Sequence, residues 1–350
     1  MIIDENYGHG GDVYSHDVLL DFSANVNPLG TPPEVVEAVR DAAELISAYS
    51  DPYCGALREK LASLHDVDAG HVLCGNGAAE LIFQFALALR PQRALLPVPS
   101  FSEYETALRA VDCGTEYYPL RRENGFAVSE ELLERITADT DALLLCTPNN
   151  PTGVAVDWKL LLKILDRCRE TGTWLLLDEC FLDLTDPDAA HSLIPELQEN
   201  DRALVLRAFT KLYGMAGARL GYAVCRNRSI LLEMCRMVQP WNVSTTAQAA
   251  GLAALGCTEF VSRTKRLIAE EKEYLLDELH ALGISVLPGK ANYLMLSGVP
   301  GLCDALLERR ILIRNCSNYR GLDEGDCRIA VRTHDENERL VAALREICHA

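Results

Sequence analysis

Lys211, Asp178 and Asn150 are the residues whose types and settings point most directly to chemistry, because each stands just after a short apolar run. Lys211 closes Arg207-Ala208-Phe209-Thr210-Lys211 and is followed eight residues later by Arg219. A lysine amine in an apolar setting is a nucleophile toward carbonyl compounds. Asp178 opens Asp178-Glu179-Cys180-Phe181 behind Trp174-Leu175-Leu176-Leu177, where a carboxylate is costly to bury without a cationic or protonated partner. Asn150 lies in Thr147-Pro148-Asn149-Asn150-Pro151-Thr152-Gly153, a run that turn chemistry alone would also explain. The fourth segment, Cys74-Gly75-Asn76-Gly77-Ala78-Ala79-Glu80, reads as a strand passing through a glycine turn into a helix. Exposed amides at Gly77, Ala78 and Ala79 would form an anion seat. The segment has neither the G-x-G-x-x-G spacing nor the Lys-Ser/Thr of a P-loop.

The elements that must position these groups alternate. Apolar runs at Val72–Cys74, Ala94–Leu96, Ala142–Cys146, Trp174–Leu177, Ala203–Leu206 and Tyr222–Cys225 read as buried strands, with amphipathic helical patterns between several of them. Such runs predict a mainly parallel sheet covered on both faces, an α/β fold. Ligands of such sheets sit at the carboxyl ends of the strands, where Asn150, Asp178 and Lys211 fall. Helices are expected at about 33–46 and 246–282, and strands at Tyr293–Leu296, Ile311–Ile313 and Arg328–Val331. The predicted organisation is an N-terminal arm with part of a small domain over 1–45, a large domain over 46–240, and a small α+β domain over 241–350.

One ligand accounts for all four segments: pyridoxal 5'-phosphate. Its aldehyde needs a lysine (Lys211), its pyridine nitrogen a carboxylate (Asp178) and its phenolate a hydrogen-bond donor (Asn150). Its phosphate needs helix-terminal amides (Gly77, Ala78, Ala79), a hydroxyl (Thr210) and a guanidinium fork (Arg219). Phe101, in Pro99-Ser100-Phe101-Ser102-Glu103-Tyr104, can cover the ring face.

With these residues in this order, the chain resembles, from end to end, the fold-type-I pyridoxal-phosphate enzymes of the aspartate aminotransferase superfamily. It is most similar to two branches, the threonine-phosphate decarboxylases of cobalamin biosynthesis and the histidinol-phosphate aminotransferases. The resemblance implies the same roles for Lys211, Asp178, Asn150, Thr210 and Arg219. It also implies that Tyr49 reaches the cofactor phosphate of a neighbouring subunit in a homodimer. The opening His9-Gly10-Gly11, the stretch Asp21 to Gly30, and Phe181 in place of a tyrosine are similar to the decarboxylase branch. Arg314 and Arg328 match the arginines that hold substrate carboxylate and phosphate in that branch, and the resemblance adds His9 and Asn25 to the substrate set. Ala208, where a hydroxyl is common, and Met215-Ala216-Gly217-Ala218-Arg219 fit the aminotransferases as well. The implied reaction is decarboxylation of a small phosphorylated amino acid. The alternatives are a histidinol-phosphate aminotransferase and, remotely, a non-catalytic cofactor-binding regulator.

Composition narrows the classes further. Thirty-three basic against 51 acidic residues give a net charge of -18, which argues against nucleic-acid and anionic-membrane partners. No apolar run reaches the length of a membrane span, and the N-terminus has no signal-peptide pattern, so a cytoplasmic protein is expected. The thirteen cysteines include no C-x-x-C pair and predict reduced thiols without a metal site. Between Arg309 and Arg332, six arginines stand against three acids, which suits an anionic substrate. Strand periodicity would place Arg328 and Arg332 on one face, leaving the role of Arg332 open.

Overall fold

The computed structural model describes residues 8–185, 191–287 and 289–349. Residues 1–7 of the expected N-terminal arm lie outside them.

Seven strands form the large sheet, in the order Val72–Gly75, Gly221–Val224, Ala203–Ala208, Trp174–Asp178, Ala142–Cys146, Arg93–Val98, Gly114–Pro119. All pairings are parallel except the two made by Gly221–Val224, which runs against both its neighbours. The chain crosses the sheet in two directions from the junction of Arg93–Val98 and Ala142–Cys146, so a crevice opens at the carboxyl ends beside that junction. Period-two alternation sorts the strand residues between two cores. Leu95, Leu143, Leu145, Leu175, Leu177 and Val205 face one helical layer, and Leu96, Leu144, Cys146, Leu176, Leu204 and Leu206 face the other.

A second, four-stranded sheet is built late in the chain, in the order Arg314–Asn315, Cys327–Ala330, Tyr293–Ser297, Ser285–Leu287, antiparallel throughout. Its own core includes Leu294, Leu296, Ile329, Leu340 and Leu344. The N-terminal segment joins it: Leu20–Asp21 pairs in parallel with Ile311–Leu312, and the amide of Ala330 donates to the carbonyl of Phe22 at 2.8 Å.

Two expectations change, and one strand is added. The single helix over 246–282 is two, Thr245–Ala254 and Thr258–Ala281. Gly256 lies between them, and a glycine there favours a stop over a continuous helix. The edge strand Gly114–Pro119 carries Thr115, Glu116 and Tyr117 at partly exposed positions, so it lacks the continuous apolar run by which central strands are recognised. The strand Cys327–Ala330 ends before Arg332, which forms an i,i+4 ion pair with Glu336 at 2.9 Å, so strand periodicity does not extend to Arg332.

All thirteen cysteines are free thiols, and no helix among the described residues is long and apolar enough to cross a membrane.

Candidate active site

Three strand ends and two turns converge on one crevice. Asp178, the last residue of its strand, sits in register between Cys146 and Leu206 and is 6% exposed. Both its carboxylate oxygens are engaged: Oδ1 accepts from the Cys180 amide at 2.8 Å and Oδ2 from the Tyr104 hydroxyl at 2.6 Å. Tyr104 is fully buried, and burial together with the charge of Asp178 pushes its phenol well above the ordinary range, so it stays a donor. The carboxylate is thus held in one orientation by two donors.

Lys211 lies on the four-residue helix Phe209–Leu212, directly after the strand Ala203–Ala208. Its Nζ stands 5.2 Å from the centre of the Phe181 ring. Burial, then the positive charge of Arg328, lowers its pKa to about 8 despite the opposing pull of Cys180 and Asp178. An amine with that pKa is partly neutral, and so nucleophilic, near neutral pH.

Asn150 is buried in the loop after Ala142–Cys146, and its Oδ1 accepts from the Arg328 guanidinium. That bond leaves the Nδ2 group free to serve as a donor. The neighbouring Asn149 carbonyl accepts from the Tyr293 hydroxyl at 2.7 Å, so the small sheet grips this loop twice.

The helix Ala78–Leu89 begins at Gly77 with no side-chain cap, leaving the first amides of the helix without a side-chain acceptor. A Cβ at Gly77 would lie 2.6 Å from Nη2 of Arg219, and Gly77 has φ +82, so only glycine lets the arginine lie across the helix start. Arg219 is itself exposed, and its one hydrogen bond runs to the Ala216 carbonyl at 3.2 Å. Thr210, next to Lys211 in sequence, is 9% exposed. Phe101 packs edge-on against Tyr104, with ring centres 5.6 Å apart.

Arg314 and Arg328 face each other as direct cross-strand partners and are 7% and 5% exposed. Arg314 donates to the Asn315 carbonyl at 2.6 Å and to Oδ1 of Asn318 at 2.8 Å. Arg328 also donates to the Ser23 carbonyl at 2.8 Å, and its Nε has no partner. Among the described residues neither arginine is in an ion pair with a carboxylate, nor are Lys211 and Arg219. Asn25 is 2% exposed with both side-chain polar atoms unpartnered. His9 is 3.1 Å from Glu103 and tilts toward Phe101 at 6.3 Å between ring centres. Tyr49 is elsewhere: it is 80% exposed and stacks on Trp241 at 4.3 Å.

Sequence reasoning passed over Tyr104 and Asn27. Tyr104 had a usable signal, an aromatic three residues beyond Phe101 at a helix start, which puts both on one face. Asn27 had none, since an Asn-Pro pair reads as turn chemistry.

Residues 17–344 match the family model for aminotransferase class I and II. The chain belongs to that family. Threonine-phosphate decarboxylase of Salmonella typhimurium is 40% identical over 98% of this chain and 97% of its own length. Among solved structures, the histidinol-phosphate aminotransferase of Clostridium acetobutylicum superposes with a TM-score of 0.88 at 26% identity, covering 95% of this chain and 99% of that one. The L-threonine-O-3-phosphate decarboxylase of Porphyromonas gingivalis gives 0.82, also at 26% identity, covering 95% and 100%. This member of the class I and II aminotransferase family is a pyridoxal-phosphate-dependent enzyme of fold type I.

The residues present fit that cofactor. The depressed Lys211 amine, the doubly anchored Asp178, the uncapped helix start beneath Arg219 and the free donor of Asn150 supply one partner for each functional group of the molecule.

Proposed function

We propose that this enzyme decarboxylates a small phosphorylated amino acid of the L-threonine-O-phosphate type, releasing an amino-alcohol phosphate. The observation that carries the reading is the opposed, buried pair Arg314 and Arg328, neither with a carboxylate partner among the described residues. Like charges directly across a ladder destabilise it, and a buried unpaired guanidinium is costly. A substrate with both a carboxylate and a phosphate offsets both arginines. Histidinol phosphate carries only the phosphate and would leave one of them unpaired. The alternative aminotransferase reading rests on the likeness to the histidinol-phosphate aminotransferase structure, at a TM-score of 0.88.

In this reading Lys211 carries the cofactor, Asp178 keeps its ring nitrogen protonated, and Asn150 donates to its phenolate. Gly77, Ala78, Ala79, Thr210 and Arg219 seat the phosphate, and Phe101 covers the ring. When bound, pyridoxal phosphate supplies an electron-accepting ring next to the substrate amine. Arg314 and Arg328, with His9 and Asn25, orient the two anionic ends and so set which bond at Cα is labile. Decarboxylation breaks the bond from Cα to the carboxylate, releases CO2 and adds one proton at Cα. Lys211 would deliver that proton.

The proposal includes a homodimer in which Tyr49 reaches the neighbouring subunit's phosphate seat. Its support is the exposed apolar set Leu45, Ile46, Tyr49, Tyr53 and Trp241. Beside it lies a cavity of about 520 Å³ lined by Tyr53, Cys54, Leu232 and Pro240.

Incubating the holoenzyme with L-threonine-O-phosphate tests the reaction. Release of CO2 without any keto acid is expected. Amino transfer that requires a keto acid, with no CO2, would move the enzyme to the aminotransferases.

A further inference from the structure

We propose that Asn27 is a positioning residue for Lys211, the link through which the N-terminal strap ties the small lobe to the cofactor lysine; the proposal rests on the reading that Lys211 carries the cofactor. The helix bearing Lys211 spans only Phe209–Leu212 and has no side-chain cap. So short a helix does not hold its own orientation, and its last carbonyls need outside donors. Asn27 supplies two of them. Its amide donates to the Lys211 carbonyl at 3.0 Å, and its Nδ2 donates to the Leu212 carbonyl at 2.5 Å.

The second hydrogen of the same Nδ2 goes to Oγ1 of Thr264, at 2.8 Å, on the long helix Thr258–Ala281. Oδ1 accepts from the Leu29 amide at 2.9 Å, so the side chain is fully engaged at 1% exposure. Asn27 is therefore a three-way junction between the strap, the lysine turn and a helix of the other lobe. Two more contacts make the strap a continuous connection. The Ser23 carbonyl accepts from Arg328, and the Thr31 hydroxyl donates to the Gly214 carbonyl at 2.7 Å. Gly214 has φ +59, and a Cβ there would lie 2.3 Å from the Gly30 carbonyl oxygen, so strap and turn are in backbone contact. Within nine residues the strap thus touches a proposed substrate arginine and the lysine turn at Lys211, Leu212 and Gly214, and it carries the unpartnered amide of Asn25. A shift of the small lobe on substrate binding reaches Lys211 through this connection.

Holoenzymes of the parent, Asn27→Ala and Thr264→Val are compared by the pH titration of the visible cofactor band, by kcat and KM, and by thermal melting. Asn27→Ala is expected to move the titration midpoint by at least about half a pH unit and to lower kcat at least about tenfold, with KM changing less than about threefold. Thr264→Val is nearly isosteric and spares the bond to Leu212. It is expected to move the midpoint in the same direction by less. A purely structural role would lower the melting temperature and leave the midpoint unmoved; that result in a folded Asn27→Ala protein overturns the proposal. If Asn27→Ala does not fold, an unshifted midpoint in Thr264→Val overturns it. Borohydride fixation on Lys211 in the parent separates the two layers: a parent with no band, or with the label on another lysine, overturns the cofactor reading and this proposal together.

Discussion

Lys211 in the cofactor-free protein is an amine whose charged form is disfavoured by its surroundings. Burial is the largest cause, and Arg328 adds to it, bringing the pKa to about 8 instead of 10.5. Only the neutral amine attacks an aldehyde, so the rate of cofactor uptake by the apoprotein should rise with pH, with a midpoint near 8, and level off about a unit above it. At pH 7 roughly a tenth of the protein would be in the reactive form. Stopped-flow absorbance at a series of pH values measures this, and a rate still climbing at pH 10 would show that Lys211 keeps an ordinary amine. Asp178 illustrates a different device at the same scale. Its orientation comes from a backbone amide and a buried tyrosine hydroxyl, two donors that remain in place across the working pH range.

Among the elements, the phosphate seat depends on how closely two backbones approach. The strand Val72–Gly75 lies beside Gly221–Val224, with Gly75 opposite Gly221. A Cβ on Gly221 would lie 2.5 Å from the Ala78 amide nitrogen and 2.8 Å from the Gly77 carbonyl carbon. Backbone cannot yield there as a flexible side chain would, so Gly221→Ala must push the helix start away from Arg219. The expected outcome is a loss of cofactor affinity of at least about tenfold, about 1.4 kcal/mol, with secondary structure retained. Equilibrium titration of the apoprotein with pyridoxal phosphate, alongside circular dichroism, decides it; parental affinity would mean the seat does not depend on this approach. This contact was invisible in the glycine-rich segment itself, because the second glycine comes from a strand 146 positions after Gly75 in the numbering.

For the whole molecule, the distribution of charge and of apolar surface matters most. A chain of net charge -18 sets Arg314 opposite Arg328, and Arg328 close enough to Lys211 to lower its pKa. The surface around Tyr49 and Trp241 is apolar and exposed, and the proposed dimer would cover it. Mixing Tyr49→Ala with Lys211→Ala subunits gives mixed dimers with one site built from two unaltered contributions. Recovery of roughly a quarter of parental activity is expected at equal mixing. Activity equal only to the average of the two separate variants would show that Tyr49 does not serve a neighbour.

The sequence by itself determined much of the local pattern and its order: which long apolar runs are central strands, that Asn150, Asp178 and Lys211 stand at or after strand ends, and that the helix at Ala78 starts at a glycine. These features are legible because alternation, apolar runs and turn residues act within a few positions of the chain. The tertiary structure decided what depends on distant segments meeting. It ran Gly221–Val224 antiparallel, set Arg314 against Arg328, ended the strand before Arg332, put the Tyr104 hydroxyl on Asp178, and brought Asn27 to the lysine turn across 184 positions of numbering. No local propensity encodes these contacts. Each follows from packing two lobes so that buried polar groups find partners, and that requirement acts on the folded whole.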